Sequence, residues 1–543
     1  MINKLVAPFH EMLKKWQRAK LRRTMRGYQS LRKSGSIHRI AMVKQALTEH
    51  ALSRVSRNLS GTIMGQGDGF GEAVIRQYLL VRIGGLNLNK ALLVALGKKN
   101  GRVVFYLPKA WREILTQHGF KVAHLRSSLL WQLYVGAIFF YGILQIGKIL
   151  LAGLFSRNDL WSLQKNHVFF ADLGSGNLPQ QINGSQSHDV ISWYLQWLGR
   201  ATGIESVHHT VRNAQPVRVG GVDVLPTVRV LPDLTGMRVV IRYALWGMRA
   251  IAIAAFDCLC GRWWHALLLN QAALAAQVRA LPAGALAQEY LFHNSGWIYR
   301  PLWTYEAQQR GSEITFYFYS TNCENFKRPE GYPPLAYGWK AMTWPRYLVW
   351  DEYQADFVRR AVGAQAKLSI VGSIWFQSSA AEMPRLDRPG VGVFDVTPHR
   401  ASRYCTLGMD MEFYTPAVAN PFLEHVSEVL NKYRLLMLWK RKRQIGRLAH
   451  PHYGHLADRL VERNHVLLVD PDISAIRVIE ASVAVVSMPF TSTALIAREM
   501  GKPSIYYDPT GLLQGDDRAA HGIPVLSGVE ELAAWLSAHV TIQ

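Results

Sequence analysis

An α/β protein of two Rossmann-like domains facing each other across a cleft is the fold class that this sequence predicts, and three observations predict it. From residue 391 onward, short apolar runs alternate with stretches of helical period. Strands are expected at Val391–Asp395, Leu435–Trp439, His465–Val469, Ala484–Ser487, Ser504–Tyr507 and Pro524–Leu526, with helices at Pro421–Lys432, Gly454–Arg463, Ile473–Ala481, Ser492–Met500 and Val529–Ala538. Such alternation is the pattern of a parallel sheet wound by helices. Between residues 286 and 371 it recurs less regularly, with one strand ending at Phe292, another at Glu313–Tyr319 and a third in AKLSIVG. Ser378–Gly390 loses all periodicity and holds Pro384 and Pro389, as a linker does. The predicted organisation is a basic arm over 1–60, a first α/β domain over 61–377, a linker over 378–390 and a second α/β domain over 391–543.

Composition limits the partners. Hydrophobic residues make up 49% of the 543 and charged residues 18%, which excludes a disordered chain. The 62 Lys and Arg exceed the 38 acids, for a net charge of +24, and point to a phosphate-bearing substrate, a nucleic acid or a membrane surface. Four cysteines, Cys258, Cys260, Cys323 and Cys405, are too scattered for a disulfide scaffold and fit a reducing compartment. The first 23 residues hold no apolar h-region, so no signal peptide is expected.

Residues 1–60 carry 14 Lys or Arg against 2 acids. Leu5, Phe9, Leu13 and Trp16 fall at helical spacing among basic neighbours, the make-up of a helix in a lipid headgroup layer, of one packed on the body, or of a nucleic-acid arm. No RNA- or DNA-binding motif appears, and nucleic acid is not expected as a partner. From 61 to 125 the pattern again reads helix, strand, helix, strand, with strands at Arg102–Leu107 and Lys121–His124. The glycines of GQGDGFGEA have the wrong spacing for a dinucleotide fingerprint and read as a loop. Leu129–Phe155 opens with 19 uncharged residues, long enough for a span. A single crossing would separate the strands expected at 102–107 and 167–173. A segment that dips into one leaflet, or a helical pair with Tyr243–Leu269, is therefore preferred over a span. Two core helices are the alternative, and the expectation is monotopic association.

The sharpest chemical signal is SVAVVSMPFTSTALIAREMGKP. A buried strand ends at Ser487, and Thr491, Ser492 and Thr493 open a helix whose free N–H groups and dipole suit a phosphate. Plain helix capping needs only one of the three hydroxyls. Lys440, Arg441, Lys442 and Arg443 follow the strand Leu435–Trp439 and are expected in the same crevice. Asp395 ends the first strand of this domain, where it serves as acid, base or turn residue. His293, after the strand ending at Phe292, is the other candidate base, with Glu306 and Asp351 behind it. His450, His452 and His455 lack metal-ligand spacing, no DxD-type site is found, and neither metal nor cofactor is expected.

The stretch MPFTSTALIAREMGKPSIYYDP, with Pro489, Phe490, Thr491 and Ser492, resembles the bacterial polysaccharide-biosynthesis family named for its PFTS motif. FHNSGWIYRPLWTYE, TFYFYSTNCENF, WPRYLVWDEYQADF and GVFDVTP are similar to that family too, so the likeness covers about residues 286–515. More distantly the chain resembles two-domain GT-B glycosyltransferases and the glycerophosphotransferases of surface polymers. A basic-His-Pro signature is divided here between Lys440–Arg443 and His450-Pro451. The resemblance implies a glycosyltransferase on the cytoplasmic membrane face. It would take a nucleotide-sugar as substrate in the C-terminal domain and pass the sugar to a lipid-linked or oligosaccharide acceptor. A polyol-phosphate transferase and a non-catalytic, polyanion-binding scaffold on the membrane are the alternatives.

Overall fold

The computed structural model describes residues 38–54, 86–98, 100–155, 166–179, 189–198, 203–295, 299–321, 323–327, 329, 331–332, 335, 337–374, 381, 383–399, 413–441, 446 and 449–540. The stripe Leu5–Trp16, the glycine-rich loop, Lys442, Arg443 and Cys405 lie outside them.

Two parallel sheets organise the chain. The first has eight strands: β1 (His167–Phe170), β2 (Ser206–His209), β3 (Val217–Val219), β4 (Val222–Pro226), β5 (Glu289–His293), β6 (Glu313–Tyr317), β7 (Arg346–Val349) and β8 (Lys367–Ile370). Their order is β3-β4-β2-β1-β5-β6-β7-β8, parallel except for the β3–β4 hairpin at the edge. The second has six parallel strands: β9 (Gly390–Asp395), β10 (Leu436–Arg441), β11 (Val466–Leu468), β12 (Ala484–Ser487), β13 (Ser504–Asp508) and β14 (Val525–Ser527), in the order β11-β10-β9-β12-β13-β14. Central strands covered on both faces must be apolar throughout. β1, β9 and β12 are accordingly buried at every residue.

The expected strands at 102–107 and 121–124 are not part of the first sheet. Only a parallel bridge between Val103 and Val122 forms there. Those residues belong to a separate small core, where Ile40, Val43 and Leu47 of the helix His38–Arg54 bury against Leu88, Leu92 and Leu115. This part of the basic arm packs on the body. The topological objection to a membrane segment at 129–155 therefore loses its premise. Within the expected linker, Gly390 already pairs with Leu436 as the first residue of β9, and residues 378–380 and 382 lie outside the described ones.

Residues 124–155 form one 32-residue helix and Met237–Leu259 a second of 23. The two run antiparallel, because Ile146 meets Gly247 and Val240 meets Gly153. Both rest on the buried helix Trp264–Ala280, which lies between them and the first sheet. Tyr243 OH donates to the Ala273 carbonyl (3.0 Å), and Gln277 donates to the Pro232 carbonyl (2.7 Å). Close approach needs the small residue at Gly142: a Cβ there would lie 2.7 Å from Leu269 Cβ and 3.0 Å from the Asn270 backbone nitrogen. Gly142→Val is expected to destabilise the folded protein by about 1–3 kcal/mol through overpacking, seen as a lower denaturant midpoint.

The domains interlock through the loop after β6. Phe326 packs into the core of the second domain, with its ring 5.2 Å from Phe490 and 5.7 Å from Phe413. Buried Asp517 accepts from Lys327 N–H (2.7 Å) and Tyr332 OH (3.2 Å), and Arg518 stacks 3.8 Å over Tyr332. Further along, His521 Nδ1 lies 2.8 Å from Asp351 Oδ2, and Ser373 N–H donates to Glu499 (3.0 Å).

Candidate functional site

Parallel sheets bind ligands where the chain reverses its direction of winding, beyond the C-terminal ends of the two strands on either side. In the second sheet the chain moves outward from β9 to β10 and β11, and on the other side through β12, β13 and β14. The crevice is therefore bounded by Asp395 of β9 and Ser487 of β12. In the first sheet the corresponding point lies between β1 and β5, beyond Phe170 and His293.

After Ser487 the chain turns through Met488–Thr491 into the helix Ser492–Glu499. Thr491 occupies the N-cap position, but its hydroxyl does not cap. It donates back to the Met488 carbonyl (2.9 Å) and lies 3.1 Å from Thr493 Oγ1, which in turn is 2.9 Å from Ser487 Oγ. The backbone is braced on both sides: Tyr506 OH donates to the Thr491 carbonyl (2.7 Å), and Phe490 N–H donates to Tyr414 OH (3.3 Å). Ser487 and Thr491 are buried, whereas Ser492 and Thr493 are half-buried. A helix start whose first-turn N–H groups are not taken by the cap side chain suits an anionic oxygen. Ser492 Oγ lies 3.4 Å from Thr321 Oγ1, so the loop after β6 of the first domain meets the turn.

Asp395 departs from expectation. It is fully buried, with Trp439 Nε1 donating to Oδ1 (3.2 Å) and Tyr453 OH to Oδ2. Burial pushes its carboxyl above the usual range, against the pull of those two bonds and of the Arg441 charge. The carboxylate faces the interior and holds the helix Pro451–Val461 to the sheet, and does not face the cleft. Lys440 is the second correction. β10 continues two residues past its apolar run, and Lys440 Nζ donates to the carbonyls of Asp470 (3.0 Å) and Pro471 (2.7 Å), on the β11 side away from β12. Its burial lowers the ammonium pKa, opposed by Asp470 and Asp472. Among the described residues of the basic run, Arg441 stands at the crevice side: it pairs with Asp395 in register and stacks 4.6 Å over Trp439. Glu306 is the third correction. It is buried on the helix Trp303–Gln309 and bound by Arg279 Nη1 at 2.6 Å, away from the strand ends.

His293 ends β5 and is half-buried. Nδ1 accepts from Ser295 N–H (3.3 Å), which leaves the proton on Nε2, 3.2 Å from the Asp172 carbonyl. Burial lowers its pKa, and the Asp172 carbonyl bond and charge only partly oppose this, which favours the neutral ring. Asp351 caps the helix Glu352–Val362 through Gln354 N–H (2.9 Å) and holds His521 across the interface. Burial raises its carboxyl, but the His521 hydrogen bond and charge, the Gln354 N–H bond and the Arg498 charge together lower it. His450 caps the helix Pro451–Val461 at its own Nδ1, 3.3 Å from His452 N–H. Among the described residues no three His, Cys, Asp or Glu side chains cluster as a metal site would. Thr321, Phe326 and Tyr414 were not singled out by sequence reasoning. The only signal for the first two was their place in STNCENF, and nothing marked Tyr414.

The sequence profile described as "Polysaccharide biosynthesis PFTS motif protein" matches residues 246–536, more than half of the chain. The chain belongs to the PFTS-motif polysaccharide biosynthesis family. The family's motif is thus the hydroxyl turn at the switch point of the second sheet. No curated protein sequence matches. Among solved structures the chain is similar to UDP-GlcNAc 2-epimerase from Methanocaldococcus jannaschii, at 8% identity over 70% of this chain and 93% of that one, TM-score 0.35. A glycosyltransferase from Rickettsia africae is 11% identical over 70% and 89%, TM-score 0.32, and MurG of Acinetobacter baumannii 10% over 69% and 90%, TM-score 0.30.

Proposed function

We propose that this PFTS-motif protein is a glycosyltransferase of surface-polysaccharide assembly. It takes a sugar from a nucleotide-sugar donor and passes it to a lipid-linked or glycan acceptor at the cytoplasmic membrane face. The observation that carries this reading is the 3.4 Å approach of Thr321 to Ser492, which brings the first domain's β6 loop onto the uncapped helix start of the second. In this reading the donor's phosphates lie against Ser492, Thr493 and the N–H groups that follow, with Arg441 beside β9. Charge grows on the leaving phosphate as the bond to the anomeric carbon breaks, and fixed dipoles aimed at it stabilise that charge without reorganising. His293 Nδ1 takes the acceptor hydroxyl's proton once it releases Ser295 N–H. The acceptor oxygen bonds to the anomeric carbon, and the nucleotide departs with the electron pair.

Thermal unfolding with CMP, CDP, UDP and GDP tests the donor site. A nucleotide at 100 times its Kd is expected to stabilise the protein by about 2.7 kcal/mol. Ser492→Asp, which sets a carboxylate where the phosphate would lie, is expected to abolish that shift while leaving the unliganded midpoint within about 0.5 kcal/mol, since Ser492 is half-buried. A shift unchanged by Ser492→Asp, or none with any nucleotide, would overturn the reading and favour a binding scaffold. Turnover of CDP-glycerol in place of nucleotide-sugars would assign polyol-phosphate transfer.

A further inference from the structure

We propose that the outer face of the antiparallel helix pair is an in-plane docking surface for an anionic phospholipid bilayer, with Arg238, Arg242 and Arg249 seated at the lipid phosphates. The inference deepens the membrane placement in the proposed function and is independent of the transfer chemistry.

On the first helix, Leu133, Phe140, Leu144 and Leu151 recur at intervals that keep them on one side, and each is more than half exposed. On the second helix Ile241, Leu245 and Met248 do the same. A stripe this long, bare on two adjacent helices, is larger than a soluble surface normally leaves. Charge decides what covers it. Arg238, Arg242 and Arg249 recur at i, i+4 and i+11 and form a second row, roughly 70° around the helix from the apolar one at 100° per residue. All three are exposed, and none pairs with a carboxylate among the described residues. The helix 124–155 contains no acid, and Asp257, the one acid of the second helix, is already held by His265 and Arg262. An apolar stripe edged by unpaired arginines complements acyl chains edged by phosphates. A second copy of the chain would bring one arginine row against another.

The packing also fixes the orientation. The pair is held to the body near both ends and in the middle: Gly153 lies against Leu234 and Val240, Gly142 against Leu269, and His265 bonds Asp257. Beneath it, the buried helix Trp264–Ala280 packs on both helices of the pair. A bilayer therefore meets only the outer face and cannot surround either helix. A spanning arrangement would also place Arg242 and Arg249 in hydrocarbon.

The test uses the full chain with its four cysteines replaced by serine and one cysteine placed at residue 133, 144, 151 or 245, labelled with an environment-sensitive fluorophore. Phosphatidylcholine vesicles with phosphatidylglycerol are expected to blue-shift every label, and shallow brominated lipids to quench all four equally. In vesicle flotation, Arg238→Gln/Arg242→Gln/Arg249→Gln is expected to weaken binding by about 100-fold, roughly fivefold per arginine. Vesicle binding with unshifted labels would assign the contact to the basic arm and overturn the proposal. Labels at graded depths would mean a span, and shifts that follow protein concentration without vesicles would mean self-association; either overturns it. The nucleotide-induced thermal shift is expected to survive the triple substitution. Docking without any nucleotide response would therefore sink the transferase reading and leave the docking surface standing.

Discussion

Asp395→Ala is expected to lower the stability of the second domain by about 2–5 kcal/mol, since each buried polar group left without a partner costs about 1–3 kcal/mol. Removing the carboxylate leaves the Trp439 indole N–H and the Tyr453 hydroxyl without their acceptor in a fully buried site. Arg441, at the paired position on β10, also loses its neighbouring charge. Asp395→Asn keeps one acceptor oxygen and adds an N–H that the Tyr453 oxygen can receive, so a smaller loss is expected. Denaturant unfolding followed by Trp439 fluorescence reads both variants. A cleft-facing acid or base would give the opposite result, with stability unchanged in Asp395→Asn and turnover abolished.

Acid is expected to produce the second large effect. His208 and His209 are fully buried in β2. Burial depresses His208 to about 3, helped by the charges of His167 and His209, and burial depresses His209 to about 4. In the unfolded chain both titrate near 6.5, so between about pH 6.5 and 4 the unfolded state binds protons that the folded state refuses. Stability therefore rises with pH through this window. The contribution is complete above the unfolded value and is lost on acidification at about 1.4 kcal/mol per pH unit for each histidine. Denaturant midpoints between pH 7 and 5 measure the slope, and His209→Gln is expected to reduce it by one histidine's share, about 1.4 kcal/mol per pH unit. An unchanged slope in that variant would mean that His209 does not carry its share.

The second sheet was legible because its strands are short, apolar on both faces and separated by helices of ordinary length. Ala484–Ser487 is found as expected, and the other five strands differ by only a residue or two at their ends. The run Lys440–Arg443 shows why side-chain direction was harder to read. The apolar residues stop at Trp439, but the ladder continues to Arg441, and pleat alternation turns Lys440 toward the carbonyls beyond β11. Nothing in a lysine's local sequence marks it as a buried donor to a distant loop. Asp395 and Glu306 were misread for a related reason: their partners Tyr453 and Arg279 are 58 and 27 residues away. The strands expected at 102–107 and 121–124 have the right periodicity, but a single bridge is all that their small separate core supports. The place of His293 at the end of a strand was legible from the sequence alone. The bonds to Ser295 and Asp172 that set its tautomer depend on how β1 and β5 lie side by side.

By position along the chain Phe326 belongs to the first domain, but its half-buried ring packs against the core of the second. Chimeras between relatives that exchange halves at residues 378–390 would separate that ring from the seat shaped for it. A recombinant that carries the segment 321–332 along with its C-terminal host keeps the seat filled. The unit of inheritance for this fold is thus not the stretch of chain between two linkers, but the half together with the plug borrowed from its neighbour.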